Sequence, residues 1–232
     1  MNKPAARKHP PWIRTRLSAV GAFAEVSSTL ERGDLHTVCQ SAMCPNRNEC
    51  FGRGTATFMI LGNVCTRKCG FCAVTPGTPL PPDLGEPERV GQAAKRLKLG
   101  HIVVTSVTRD DLDDGGASVF AKVIRALRKQ VPAATIEVLI PDFKGNERDI
   151  ATVLSARPDV LNHNLETVKR LQKQIRSGAN YERSLAVLRH AAGWKPPVTV
   201  KSGLMVGLGE TDDEIRGAMK DLLASGCAVL TI

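Results

Sequence analysis

The sequence predicts an α/β fold, a partial (β/α)6 TIM-like barrel of parallel strands behind an N-terminal extension, and three observations predict it. Short apolar runs recur at 57–61, 101–106, 135–140, 159–163, 198–205 and 228–232, each of a length suited to a buried strand. The segments between them carry helical spacing, as in Val119, Val123, Leu127 and Val131, or Ile215, Met219 and Leu222. Residues 1–54 lack a clear period and carry Pro, Gly and basic side chains, so they read as an extension wrapping the unit at 55–232.

Alternating strands and helices imply parallel pairing, because each return crossover is a helix packed on the sheet. Rhythm alone does not reveal whether the sheet curls, so a doubly wound sheet stays open beside the partial barrel. In both, ligands bind at the carboxyl ends of the strands. Pro87 suits the first turn of a helix. Thr211-Asp212-Asp213-Glu214 fits a capping box, in which hydroxyl and carboxylate each satisfy an unpaired backbone N–H. Gly100 and Gly226 are placed to end helices in the left-handed conformation.

With 232 residues, 42% hydrophobic and 24% charged, the chain can bury a substantial core. No stretch of roughly 18 apolar residues occurs. The segment 17–26, the nearest to a signal core, contains Glu25 and follows Pro10-Pro11, so a soluble, cytoplasmic protein with no membrane partner is expected. Thirty-two Lys and Arg against 23 Asp and Glu leave +9, with the basic residues spread over Lys3, Arg7, Lys8, Arg14 and Arg16, then 95–98 and 169–176. Only 4% of residues are aromatic, too few for a base-stacking platform, and the charge reads as solvated faces and docking surface, with no nucleic acid expected.

Six of seven cysteines fall between Cys39 and Cys72. In a chain expected to stay where thiols are reduced, that argues for metal or redox chemistry over disulfides. Cys65-Thr66-Arg67-Lys68-Cys69-Gly70-Phe71-Cys72 forms a Cys-x3-Cys-x2-Cys loop directly after the first strand. Three thiolates on a 4Fe-4S cube leave one iron free for a chelating substrate. Structural zinc is the plain alternative, yet zinc prefers four protein ligands in paired units, and no fourth cysteine or partner histidine stands at the required distance. This loop resembles that of the radical S-adenosylmethionine (SAM) superfamily. The resemblance implies that Cys65, Cys69 and Cys72 are catalytic, holding the cluster whose free iron takes the methionine end of SAM, and that Phe71 lies beside the adenine.

Upstream stands Cys39-x4-Cys44-x5-Cys50, a second triplet too irregular for a zinc knuckle and again one ligand short of a cube. A set of free thiols is the plain alternative. Two such triplets in succession resemble the lipoyl synthases, and that resemblance implies a second 4Fe-4S cluster on Cys39, Cys44 and Cys50 that is consumed as the sulfur source.

Other segments extend the resemblance. The stretch 106–117, Ser-Val-Thr-Arg-Asp-Asp-Leu-Asp-Asp-Gly-Gly-Ala, pairs carboxylates with exposed backbone, which suits a cationic amine as well as it suits a polar loop capping the next helix. The family places SAM-binding groups here, implying roles for Ser106, Thr108, Arg109 and Asp110. Asn162-His163-Asn164-Leu165-Glu166-Thr167 offers amides and a carboxylate for a ribose diol, with Asn164 and Glu166 the candidates. His163 itself reads as a satisfied core residue. In 176–185, Arg183 is a candidate for gripping a carboxylate, with a helix-surface arginine as the alternative. Lys201 opens a glycine-rich segment, 201–211, that the family shares and that lets backbone approach a ligand. Cys227 is assigned to the core.

Lipoyl synthases continue with a further helix and an Arg-Ser-Ser-Tyr segment whose serine completes the auxiliary cluster, whereas this sequence stops at Ile232 and reads as C-terminally truncated. The implied reaction is insertion of two sulfur atoms at C6 and C8 of a protein-bound octanoyl-lysine. The implied partners are octanoylated carrier domains, such as 2-oxoacid dehydrogenase E2 or the glycine cleavage H protein, and an electron donor such as flavodoxin or ferredoxin. The rivals are an inactive fragment of the same family, and another dual-cluster radical SAM enzyme such as a tRNA methylthiotransferase, for whose RNA-binding domain the sequence has no counterpart.

Overall fold

The computed structural model describes residues 20–42, 44–53 and 56–232. In chain order the extension supplies α1 (Val20–Arg32), β1 (His36–Thr37), α2 (Val38–Ser41) and α3 (Arg47–Gly52). The barrel then runs β2 (Thr57–Ile60), β3 (Val64–Cys65), β4 (Thr75–Pro76), α4 (Glu86–Arg96), β5 (His101–Ser106), α5 (Ala117–Gln130), β6 (Thr135–Leu139), α6 (Glu147–Ser155) and β7 (Val160–Asn162). It closes with α7 (Gln172–Ile175), α8 (Tyr181–Ala192), β8 (Thr199–Gly203), α9 (Asp212–Ala224) and β9 (Val229–Thr231). Among the described residues no helix is long and apolar enough to cross a membrane.

Strands β2, β5, β6, β7, β8 and β9 lie side by side in chain order, all parallel, and β1 adds antiparallel to β2. A doubly wound sheet would reverse its order at a switch point. This one never reverses, so the partial barrel stands. Alternate residues of a strand face opposite sides, and the register makes two rows of this. Phe58, Val104, Val138, Leu161 and Val200 align across neighbouring strands and are at most 2% exposed, buried beneath the helical layer. The next row, Met59, Thr105, Leu139, Asn162 and Lys201, turns inward and becomes polar from β7 onward.

The helices pack in series, α4 on α5, α5 on α6 and α6 on α8. Along α5, Val119, Phe120, Val123, Ile124 and Leu127 are buried; at about 1.5–3 kcal/mol per large side chain, this face alone outweighs any single polar contact named below. Helix α5 begins at Gly116, where φ is +91° and a Cβ would collide with Leu61 Cδ1, so only glycine serves. Pro87 stands in the first turn of α4, and the capping box at Thr211 and Glu214 is complete.

Three expectations change. Gly100 is not the left-handed terminator of α4; Lys98 takes that conformation at φ +52°, because Leu99 must already turn inward to the core. On α9 the buried face is Ala218 and Leu222, with Met219 40% exposed. The extension, read as aperiodic, contains α1, whose Val26, Thr29 and Leu30 are buried and which packs against α3 and α4. The basic arm of Lys3, Arg7, Lys8, Arg14 and Arg16 lies outside the described residues. Gly226 does adopt the left-handed conformation after α9, at φ +79°, and Cys227 behind it is buried with its thiol donating to Val229 O.

Candidate active site

A cavity of about 360 Å³ opens at the carboxyl ends of the strands. Its floor is the inward row, Met59, Thr105 and Leu139; its walls include Cys65, Cys69, Phe71, Cys72, Ser106, Thr108, Asp142, Asn164, Glu166 and Arg176. Val38 and Ala42, which bracket Cys39 in and after α2, complete one side. The Cys65, Cys69 and Cys72 triplet therefore lines this space and the helix that carries Cys39 borders it, while Cys39, Cys44 and Cys50 themselves are not among its lining residues.

The second triplet sits in a loop closed by pairing of β3 with β4 and tied to the barrel at every step. Thr66 donates through N and Oγ1 to Thr108 O, and its hydroxyl accepts from Asp110 N. Cys65 Sγ accepts from the N–H groups of Arg67 at 3.4 Å and Thr108 at 3.3 Å. Gly70 N reaches Ile175 O. Under the loop, Arg67 grips Asp110 with Nε at 2.6 Å and Nη2 at 2.9 Å, and Nη2 also meets Asp142 at 2.8 Å. The Asp142 side chain is wholly buried and that of Arg67 is 8% exposed. Burial alone would raise the Asp142 carboxyl, but the hydrogen bond and charge of Arg67 outweigh it and hold the group at about 2.

The donor set fits an iron-sulfur cluster. All seven cysteines are free thiols. Burial pushes the Cys69 thiol up and Cys65 and Cys72 push it further; burial, Cys39 and Cys44 do the same to Cys50. Cys69 and Cys50 are thus thiols whose ionisation burial and their neighbouring cysteines disfavour until a cation joins them. Among the described residues no three Cys, His, Asp or Glu side chains converge on a single-ion position, as a zinc site would require. The cavity also offers groups that a ligand with charged ends would complete. Ser106 Oγ is buried without a partner. Arg176 is half-buried, and its guanidinium makes one hydrogen bond, to Ser184 Oγ, and no ion pair among the described residues. Burial lowers its pKa, while Glu166, Asp142 and Cys69 act in the opposite sense. Burial raises the Glu166 carboxyl, with Arg176 opposing.

Of the expected SAM-binding residues, Phe71, Ser106, Thr108, Asn164 and Glu166 line the cavity. Asn164 fits because Gly203 has no side chain; a Cβ there would stand 2.8 Å from Asn164 Oδ1. Arg109, Asp110, Arg183 and Lys201 do not line it, each being held elsewhere by charge. Arg109 is 1% exposed, bound to Asp111 and to Leu61 O. Asp110 takes Arg67, and Arg183 meets Asp142 and Gly178 O. Lys201 pairs with buried Glu137 at 2.9 Å and borders a neighbouring cavity of about 340 Å³ that Asn164 and Glu166 share. Sequence reasoning missed Arg67, Asp142 and Arg176. Only Arg67, standing between two cysteines of the motif, carried a signal that would have found it.

A model of the radical SAM superfamily matches residues 59–222. The lipoyl synthase of Oleidesulfovibrio alaskensis is 55% identical over 225 residues, which cover 96% of this chain and 76% of that protein. The lipoyl synthase of Symbiobacterium thermophilum is 54% identical, covering 97% and 70%, and that of Nitratidesulfovibrio vulgaris strain Hildenborough is 53% identical, covering 100% and 77%. Among solved structures, methylornithine synthase (PylB) superposes with a TM-score of 0.60 at 13% identity, over 93% of this chain and 60% of that one. The radical SAM methyltransferase TsrM from Kitasatospora setae superposes at 0.53 with 14% identity, over 74% and 35%. At such identities these two structures speak to the fold alone.

Proposed function

The chain belongs to the lipoyl synthase family of radical SAM enzymes, and from that premise we propose that it inserts two sulfur atoms at C6 and C8 of an octanoyl-lysine on a carrier domain. The observation that carries this reading is the shared cavity, bordered by Cys65, Cys69 and Cys72 on one side and by the residues flanking Cys39 on the other. A sulfur donor must stand within reach of the carbon from which hydrogen has just been removed, and the approach of the Cys39 helix to the cavity lined by Cys65, Cys69 and Cys72 supports that arrangement.

In this reading Cys65, Cys69 and Cys72 hold the cluster that binds SAM, and Cys39, Cys44 and Cys50 hold a second, the sulfur donor. When bound, the first cluster and SAM supply homolytic removal of hydrogen from unactivated C–H bonds, which no side-chain base can deprotonate. The chain's own residues bind and orient. Arg176 faces the carboxylate of SAM, its half-buried charge being, among the described residues, the cation of the wall without an ion-pair partner. Asn164 and Glu166 are within reach of a ribose diol, and Phe71 gives a face for the adenine. Met59, Val74, Leu139 and Ile140 make the apolar wall that excludes water and accepts an alkyl chain. The reading includes a cytoplasmic setting, a flavodoxin- or ferredoxin-type electron donor and an acidic carrier met by the basic surface.

Anaerobic reconstitution with counts of iron and sulfide, followed by product analysis on an octanoylated peptide, tests it. About eight irons per chain are expected, four for each cube. About four irons, or SAM cleavage without any thiolated peptide, would remove the second cluster and the sulfur chemistry from the reading.

A further inference from the structure

We propose that Ser184 and His163 are positioning residues that fix the Arg176 guanidinium at the cavity wall through a one-way relay of hydrogen bonds. The proposal rests on the reading that Arg176 meets the anionic end of SAM. Arg176 Nη1 lies 2.7 Å from Ser184 Oγ, Ser184 Oγ lies 3.0 Å from His163 Nε2, and His163 Nδ1 lies 2.9 Å from Ile140 O. Ser184 and His163 are both 0% exposed, so neither has water as a substitute partner.

Donor chemistry allows this chain one direction. A guanidinium only donates, so Ser184 Oγ accepts from Arg176. The Ile140 carbonyl only accepts, so the proton of the imidazole resides on Nδ1 and is donated to it. In the neutral ring Nε2 is then bare and accepts the proton of the Ser184 hydroxyl. A protonated imidazole would break the order, since Nε2–H and Nη1–H would both point at one hydroxyl whose own proton had nowhere to go. The surroundings agree with a neutral ring: burial is the main influence holding His163 at about 4, and Arg176 adds to it.

Ile140 and Arg176 border the cavity while Ser184 and His163 stand behind it. The relay thus spans from the loop after β6, through the loop after β7, to α8, and ends on a long side chain that would otherwise sample many rotamers. A satisfied core histidine alone needs only the Ile140 and Ser184 contacts. The third link, to a cation aimed into the cavity, is what a positioning role adds. Preorganised in this way, Arg176 binds an anion without first losing its freedom.

The test compares Ser184→Ala, Ser184→Thr and Arg176→Met in the reconstituted holoenzyme. It uses SAM affinity by calorimetry, KM for SAM against kcat, and the imidazole tautomer by nitrogen-15 NMR. Ser184→Ala is expected to weaken SAM binding about tenfold and to raise KM with kcat little changed, whereas Ser184→Thr, which keeps the hydroxyl, stays within about twofold. The wild-type His163 signal is expected to be the neutral Nδ1–H form, which requires no variant to fold. Wild-type SAM affinity in Ser184→Ala alongside lost affinity in Arg176→Met overturns the relay and spares the role of Arg176. An Nε2–H or protonated His163 in the wild-type protein also overturns it. Unchanged affinity in Arg176→Met overturns the role of Arg176 and the relay with it.

Discussion

Cys65, Cys69 and Cys72 line the cavity and the helix carrying Cys39 borders it, and the two triplets are held by different means. Cys65, Cys69 and Cys72 stand on a loop tied to the loop after β5 and to α7 by backbone bonds, and anchored by Thr66 and by the buried Arg67. Cys39 and Cys50 stand on a four-residue and a six-residue helix with Cys44 in the connection between them, and the attachments of this segment are the short β1–β2 pairing, the Thr37 cap and apolar contacts around Phe51 and Phe23. A site tied to the core inherits the core's rigidity, and a site on a docked extension keeps a stability of its own.

The largest expected effect breaks the comparison chemically. Replacing Cys65, Cys69 or Cys72 by alanine should drop 5′-deoxyadenosine formation to background. Alanine at Cys39, Cys44 or Cys50 should leave SAM cleavage within a few-fold, remove about four irons and abolish sulfur insertion, as read by mass spectrometry of the peptide. Loss of SAM cleavage in both sets would make the two sites one cooperative unit.

Next comes the anchoring. Arg67→Met leaves Asp142 buried without its main partner and should cost about 3–5 kcal/mol in urea unfolding. Near the first triplet, Arg53 pairs with Glu49, but these side chains are 75% and 41% exposed, so Arg53→Met should cost at most about 0.5 kcal/mol. Equal costs would erase the distinction between a core-held and a docked site.

Acid should act on the core-held site first. His163 sits at about 4 against an ordinary 6.5, so between those values the unfolded chain binds a proton that the folded protein refuses, and stability falls as pH drops through that window by roughly 3 kcal/mol. Asp142, at about 2 against 3.8, binds its proton less readily folded than unfolded. Its contribution, roughly 2 kcal/mol, is present above 3.8 and lost as pH falls toward 2. Urea midpoints across pH 3–8 would show both, and His163→Gln should flatten the upper window only. The smallest effect concerns the docked site. Thr37→Ala removes the hydroxyl that caps α2 at Gln40 N, should cost about 1 kcal/mol, and should lower iron retention at the first triplet alone in timed chelation.

Much of this was legible along the chain. The six strands fall within the predicted runs, because burial on both faces of a parallel sheet demands continuous apolar stretches. The capping box and Pro87 are local signals, and local signals survive folding. Helix α1 was not legible, since its face is built from one Val, one Thr and one Leu among small residues and closes only against α3 and α4. Arg183 and Arg176 show why side-chain roles were harder. They stand seven residues apart in one segment, but Arg183 is drawn to Asp142 and Gly178 O, and Arg176 turns into the cavity wall.

The sequence alone determined how the cysteines are grouped and how many parallel strands the sheet carries, because residue spacing and apolar period are properties of short stretches of chain. Only the tertiary structure decided that the sheet runs in one unbroken order and that the helix carrying Cys39 comes to the cavity lined by Cys65, Cys69 and Cys72. It also decided that a half-buried arginine stands in that wall without an ion pair among the described residues. Each of these depends on which distant groups share a low-dielectric space, and no spacing along the chain encodes that distance.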